Sequence, residues 1–317
     1  MQYVTQAATF PENPVVRAQA IETLQEIQGE QAASWFRQAL SDEHPGVRFA
    51  ACMAIGTIRH KPSEALVRLR LADPDASVRV AAMYALRRMG DQSFVREWAE
   101  IITSHPDVPV RRNAVLALGR LGEQGAAGLL RRVRREDKDE SVQLQALEGM
   151  ALLGDRHAVA DLIFYANSNV GALQVFALAT LGRIGDPRCI PTLEYCFKNA
   201  PYLESRLAAA RALGMMSRAD GFQLALQSLD WNRPDPKLPE DQPENQIMRV
   251  RTQAALALGA IGKPEALTPL RGRMEQDADP RCQLAAATAI LQILQRQETA
   301  PIGPPLEPMA PIRSAKR

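Results

Sequence analysis

The hydrophobic positions of this chain fall on one recurring phrase, V-R-x-x-A-x-x-A-L-G-x-x-G, which begins at Val16, Val47, Val78, Val110, Val142, Leu173, Ser205, Val250 and Cys282. Successive copies lie 31 or 32 residues apart, with one spacing of 45 between Ser205 and Val250. With the first position taken as zero, positions 0, 4, 7, 8 and 11 share one side of a 3.6-residue helix and hold Val, Ala, Ala, Leu and an aliphatic residue. VRRNAVLALGRLG from Val110 and VRTQAALALGAIG from Val250 are the clearest copies, and the first and last are the weakest, as capping units of a repeat array are. Alanine at 4 and 7 lets a neighbouring helix approach to the lower end of the ~8–10 Å interaxial range. Glycine at 12 (Gly122, Gly185, Gly262) suits a helix C-terminus closed by a left-handed residue. Glycine at 9 (Gly56, Gly119, Gly182, Gly214, Gly259) costs ~1 kcal/mol of helix propensity and reads as a close-packing position.

A second apolar pattern precedes each phrase, as in SWFRQAL at Ser34, FVREWAEII at Phe94 and AVADLIFYA at Ala158, so each unit is a helical hairpin. The breaks SDEHPG, ADPDAS, SHPDVP, REDKDES and QDADP carry turn and N-cap residues. No useful period-2 alternation appears, and no sheet is expected. About nine stacked hairpins predict a curved rod on the order of 90 Å long.

Composition narrows the partner classes. The 317 residues carry 38 Lys+Arg against 36 Asp+Glu, a net charge of +2, which selects neither nucleic acid nor membrane. Aromatics are only 5%, so the core is built from small aliphatic side chains. The longest run of apolar residues and Gly, Ala254 to Gly262, is far short of the ~18 residues that span a bilayer. The first residues show neither a basic nor an apolar leader region, and a cytoplasmic location is expected. The four cysteines form no CxxC and read as reduced core residues. The extra residues in the 45-residue spacing form a proline-rich acidic segment at 230–246, expected to be a loop rooted at Trp231; residues 298–317 are proline-rich and expected to be a disordered tail after a solenoid over 1–297.

The phrase resembles the short HEAT-like repeat of HEAT-repeat proteins and phycobilisome lyases, most diagnostically in LGRIGDPRCIPTL from Leu181 to Leu193. The resemblance covers about residues 12–296. It implies an all-α, right-handed α-solenoid of about nine HEAT-like helical hairpins whose second helices line the concave side. Positions 2, 6 and 10 then face a groove, giving Met53, Tyr84, Arg88, Arg112, Leu116, Arg120, Arg183, Arg211 and Met215 as candidate partner-binding residues, with Leu144, Leu152 and Val175 beside them. Apolar side chains mixed with Arg suit protein recognition.

Position 1 is Arg in most copies (Arg17, Arg48, Arg79, Arg111, Arg251), and Asp42, Asp73 and Asp107 stand in the turns, which suggests an Arg–Asp ladder between neighbouring turns, exposed and worth only ~0–1 kcal/mol per pair. Residues 111–135 hold seven arginines against Glu123 alone, a patch that an acidic partner could meet, although Arg131, Arg132, Arg134 and Arg135 read as a solvated outer face. His44, His60, His105 and His157 are scattered; no HExxH, Cys/His cluster, nucleophile elbow or phosphate loop is present. The His-Glu dipeptides on which HEAT-like di-iron hydroxylases rely are missing, so neither catalytic residues, metal nor cofactor is expected. The expected function is a non-catalytic scaffold binding a protein or peptide, an acidic one among the candidates, on its concave surface. The resemblance also allows a phycobilin lyase or chaperone, with Arg88, Arg120 and Arg183 meeting tetrapyrrole propionates. DNA recognition of the HEAT-like glycosylase kind ranks last, for want of a basic, aromatic channel.

Overall fold

The computed structural model describes residues 1–9 and 12–299. All nine phrases fall on the second helix of a hairpin. These second helices are α2 (Pro14–Gln28), α4 (Pro45–Thr57), α6 (Ala76–Arg88), α8 (Val108–Leu121), α10 (Glu140–Leu152), α12 (Gly171–Ile184), α14 (Leu203–Met215), α16 (Pro243–Ile261) and α18 (Pro280–Thr299). Their hairpin mates form the outer layer: α1 (Gln2–Ala7), α3 (Ala33–Ala39), α5 (Glu64–Leu69), α7 (Val95–Ser104), α9 (Ala127–Glu136), α11 (Arg156–Ala166), α13 (Ile190–Asn199), α15 (Phe222–Ser228) and α17 (Leu267–Gln276). Each inner helix packs on the next, and no strand occurs among the described residues. The expected tail lies outside the described residues, apart from its first two positions, which continue α18.

The position-9 glycines fix the spacing of the inner layer. A Cβ on Gly182 would stand 2.8 Å from the Cα of Ala212, and one on Gly56 would stand 2.7 Å from the Cα of Ala85. Gly119 meets Gly149, and Gly259 meets Ala289, in the same way. At these four junctions position 9 of one repeat abuts position 7 of the next, backbone against backbone, whereas Gly214 lies against Ala260 and Ile261, and α2, α6 and α10 carry Gln25, Arg87 and Ala151 at position 9. Gly122, Gly185 and Gly262 end α8, α12 and α16 in the left-handed conformation at φ 72, 66 and 81°.

The Arg–Asp ladder is present but differs from expectation in register and burial. Four of the five arginines pair with the aspartate of the following turn: Arg17 with Asp42, Arg48 with Asp73 and Arg111 with Asp137, all through two nitrogens at 2.8–3.0 Å, and Arg251 with Asp277 at 3.3 Å; Arg79 instead donates to the carbonyls of Asp73 and Pro74 in its own turn. Arg48 and Arg111 also donate to carbonyls of their own turns, at Asp42 and His105. Asp107, counted in the ladder from sequence, instead sits at the start of α8 and is not the partner of Arg111. The side chains are buried, Asp73 to 1% exposure and Arg17 to 5%, so the low worth of exposed pairs does not apply. Each ladder aspartate also accepts the amide two residues on, at His44, Asp75, Asp139 or Asp279, and those residues in turn cap α4, α6, α10 and α18. Burial pulls the carboxyls of Asp42, Asp73 and Asp137 upward, but the arginine and amide hydrogen bonds outweigh it and hold all three below the ordinary carboxylate value.

The open rod is corrected by contacts between its ends. The first repeat turns into the concave face of the last, and α2 packs against α18. Tyr3 donates to Gln283 at 2.6 Å, the Thr23 and Thr288 hydroxyls are 3.0 Å apart and buried, and Gln292 donates to Glu26 at 2.8 Å. Val4 and Leu284 share one apolar core. The solenoid closes on itself.

The 45-residue spacing is an ordered excursion. Gln246, 3% exposed, accepts the Asp235 amide at 2.7 Å and donates to the carbonyls of Leu238 and Asp241 at 2.8 and 2.7 Å. The Trp231 carbonyl accepts Arg251 Nε at 2.7 Å, anchoring the root. Because Pro243 is pre-organised for a first helical turn, α16 begins there, and the last residues of the expected 230–246 loop are helical.

Candidate partner-binding surface

Positions 2, 6 and 10 of the inner helices do not all reach the groove. Met53 and Tyr84 are buried, at 5% and 1% exposure. The Tyr84 ring lies against Gly56, and its hydroxyl is 3.1 Å from that of Thr57, so these two candidates are corrected to packing residues. Arg88 is half-buried, with its guanidinium 3.4–3.5 Å from the carbonyls of Gly56, Thr57 and Leu121, where it complements the C-terminal ends of α4 and α8. Leu116 is half-buried, and Arg112, Arg120 and Met215 are exposed. Arg183 forms an ion pair with the buried Glu148 one repeat back and donates to the Thr180 hydroxyl at 3.3 Å.

Arg211 stands deepest. It lines a cavity of about 230 Å³ together with Glu22, Glu26, Leu256, Leu284 and Gln292, drawn from α2, α14, α16 and α18. Partial desolvation pulls its guanidinium downward, Glu26 supports its charge, and Arg183 adds repulsion. Glu22 keeps contact with water yet is hemmed in by surrounding helices. That desolvation raises its carboxyl above the ordinary value, while Arg120 on α8 pulls it back and Glu26 pushes it further up. Residues from the first, fourth, sixth and seventh repeats thus act on one another across the concave space.

The acidic half of this lining was missed from sequence. Glu22 and Glu148 occupy position 6 and Glu26 position 10 of their own copies, so the periodicity that selected the arginines also marks these acids. A second hollow, a cleft of about 850 Å³ between α12, α14, α16 and the inserted loop, is lined by Val175, Phe176, Tyr202 and Leu238, with Arg249 held between Glu204 and Asp241 at its edge. Only the coordinates join these segments.

The residue types most often used for chemistry are engaged in the scaffold. All four cysteines are buried, and burial pushes Cys52 up to about 12 and Cys282 to about 11, far from a reactive thiolate. His44 and His105 accept the amides of Gly46 and Asp107 within their turns. Among the described residues, no group of three or more His, Cys, Asp or Glu is placed to hold a metal ion, and no helix is long and apolar enough to cross a membrane.

Paired helices in a two-layer stack, with one continuous concave lining, define an α-solenoid. The profile of the HEAT repeats matches residues 2–70, 63–151, 129–214 and 244–291, and the chain belongs to that family. No curated protein sequence matches the chain significantly. Among solved structures, human deoxyhypusine hydroxylase in complex with glycerol is similar at 16% identity over 93% of this chain and 96% of that one, with a TM-score of 0.41. The complex of CpcE and CpcF of phycocyanin lyase from Nostoc sp. PCC7120 is similar at 23% identity over 73% and 94%, with a TM-score of 0.44. Kap95p in its complex with RanGDP is similar at 13% identity over 94% and 46%, with a TM-score of 0.40. These likenesses are of fold alone.

Proposed function

We propose that this HEAT-repeat protein is a non-catalytic scaffold that binds a protein or peptide partner on its concave surface. The observation that carries the reading is the division of labour among the arginines. Position-1 arginines are buried in the turn ladder, whereas Arg112, Arg120 and Arg211 project from the inner helices beside Leu116 and Met215. Arginine beside apolar side chains on a rigid concave wall is the lining that protein interfaces favour. The engagement of cysteines and turn histidines in packing and capping supports a scaffold over a catalyst.

Affinity capture with the full chain tests this. Partners recovered with the native chain are expected to be lost with Arg112→Ala, Arg120→Ala and Arg211→Ala combined, and kept when Arg131, Arg132 and Arg135 on outer helix α9 are changed instead. Equal loss from both sets, or from neither, contradicts it.

A further inference from the structure

The concave face of the last three repeats is already occupied by a piece of the same chain, and that occupant describes what the face accepts. α2 lays Gln19, Glu22, Thr23 and Glu26 against it. Their spacing of i, i+3, i+4 and i+7 is one continuous stripe of a helix. The adjoining stripe of α2, with Val16, Ala20 and Leu24, is buried in the core. The stripe meets Arg211 from α14, Thr252 and Leu256 from α16, and Leu284, Thr288 and Gln292 from α18.

This contact is built differently from the junctions inside the solenoid. At four of them, position 9 glycines bring backbones together over alanine or glycine. At the closure, position 9 of α18 is Leu291 and position 7 of α2 is Thr23, and the ends are joined by three side-chain hydrogen bonds together with the apolar contact that Val4 and Leu284 share. The Gln292–Glu26 bond lies at the surface and exchanges readily with water, whereas the Thr23–Thr288 bond is buried. The charges are also imperfectly matched. Arg211 has Glu26 within electrostatic reach but is repelled by Arg183, and Glu22 is held in a desolvated place against Arg120 on the far side of the groove. The seat of α2 is therefore well shaped and incompletely matched in charge.

We infer that this face is a docking site for an acidic amphipathic helix of a partner protein, one carrying carboxylates a turn apart that displaces α2 and opens the ring. The inference rests on the concave-surface reading above and names the partner chemistry for it. The helix would lie where α2 lies, with one carboxylate on Arg211 and small or apolar side chains over Leu256 and Leu284, in the helix-in-groove manner.

A labelled synthetic peptide with the sequence of residues 12–28 is the probe, and the full chain carrying Thr23→Cys and Thr288→Cys is the receptor. The native hydroxyls at these positions are in contact, so oxidation should lock the ring and reduction should release it. Peptide binding is expected to the reduced chain and to fall at least tenfold on oxidation. It should fall similarly with a Glu22→Lys, Glu26→Lys peptide or with Arg211→Ala in the receptor. Recovery on re-reduction shows that the locked form is folded. No binding to the reduced chain, equal binding to the two forms, or binding indifferent to the peptide's acids would overturn the inference. Self-association of the reduced chain that displaces the peptide would assign the face to a second copy and overturn it too. If partners captured by the native chain depend on Arg112 and Arg120 but not on the lock, the concave-surface reading stands and this one fails.

Discussion

Gly182 of α12 and Ala212 of α14 approach so closely that a Cβ on the glycine would sit 2.8 Å from both the Cα and the Cβ of the alanine. Backbone lies on the far side of the contact, so no rotamer change relieves it. Gly182→Ala is therefore expected to destabilise the fold by about 1–3 kcal/mol, although the same change in a free helix gains nearly 1 kcal/mol. Gly128, in outer helix α9 with nothing within 4 Å, is the control: Gly128→Ala should stabilise slightly. Urea unfolding of the two variants checks the opposite signs.

Asp73 ties three parts of the chain: the guanidinium of Arg48 in the previous repeat, the amide of Asp75, and through it the cap of α6. Removing its carboxylate leaves a half-buried guanidinium uncompensated. Asp73→Ala should cost about 3 kcal/mol, well above an exposed pair. A double-mutant cycle with Arg48→Ala should show the two changes to be strongly non-additive; additive losses would mean that the pair is not coupled.

The ladder also sets a pH dependence. Asp42, Asp73 and Asp137 are held below their ordinary value in the folded chain, so in the window beneath about pH 4 the unfolded chain binds more protons. Their contribution is complete above that window and is lost as pH falls through the folded values. Glu22 has the opposite sign, since its raised carboxyl is disfavoured when ionised. Glu22→Gln should raise the Tm at pH 7, and the gain should vanish by about pH 4. Melting curves of both proteins across this range check the two signs together.

Gln246 is the clamp of the inserted loop, supplying its amide to Asp235, Leu238 and Asp241 at once. Gln246→Ala leaves those backbone groups without their partner and should make residues 230–242 the first site of limited proteolysis, with the rest of the solenoid intact. Cleavage elsewhere first would show that the loop is held by other contacts.

The inner layer was legible in sequence because each of its demands falls on a fixed position: alanine at 4 and 7, glycine at 9 and 12, and arginine at 1. The ladder's register was not, since Arg111 had both Asp107 and Asp137 within reach of its turns and only the fold decides between them. Tyr84 and Met53 were assigned to the groove by helical phase alone, yet the close approach at Gly56 buries Tyr84. Ring closure left no distinct trace: Thr23 stands at position 7, as Thr180 does inside the array, and Thr288 stands at position 6, where Glu148 and Arg211 are polar too. Closure sums small rotations over nine repeats, and no local pattern records that sum.

The central claim, that the two ends of the solenoid meet, is tested most directly by the distance between spin labels at Gln2 and Ala278. Each position is exposed and lies within five residues of the Tyr3–Gln283 contact. A closed chain should give one narrow distribution below about 40 Å. An open array of nine hairpins would place the labels about 80 Å apart or more, and that result would contradict closure.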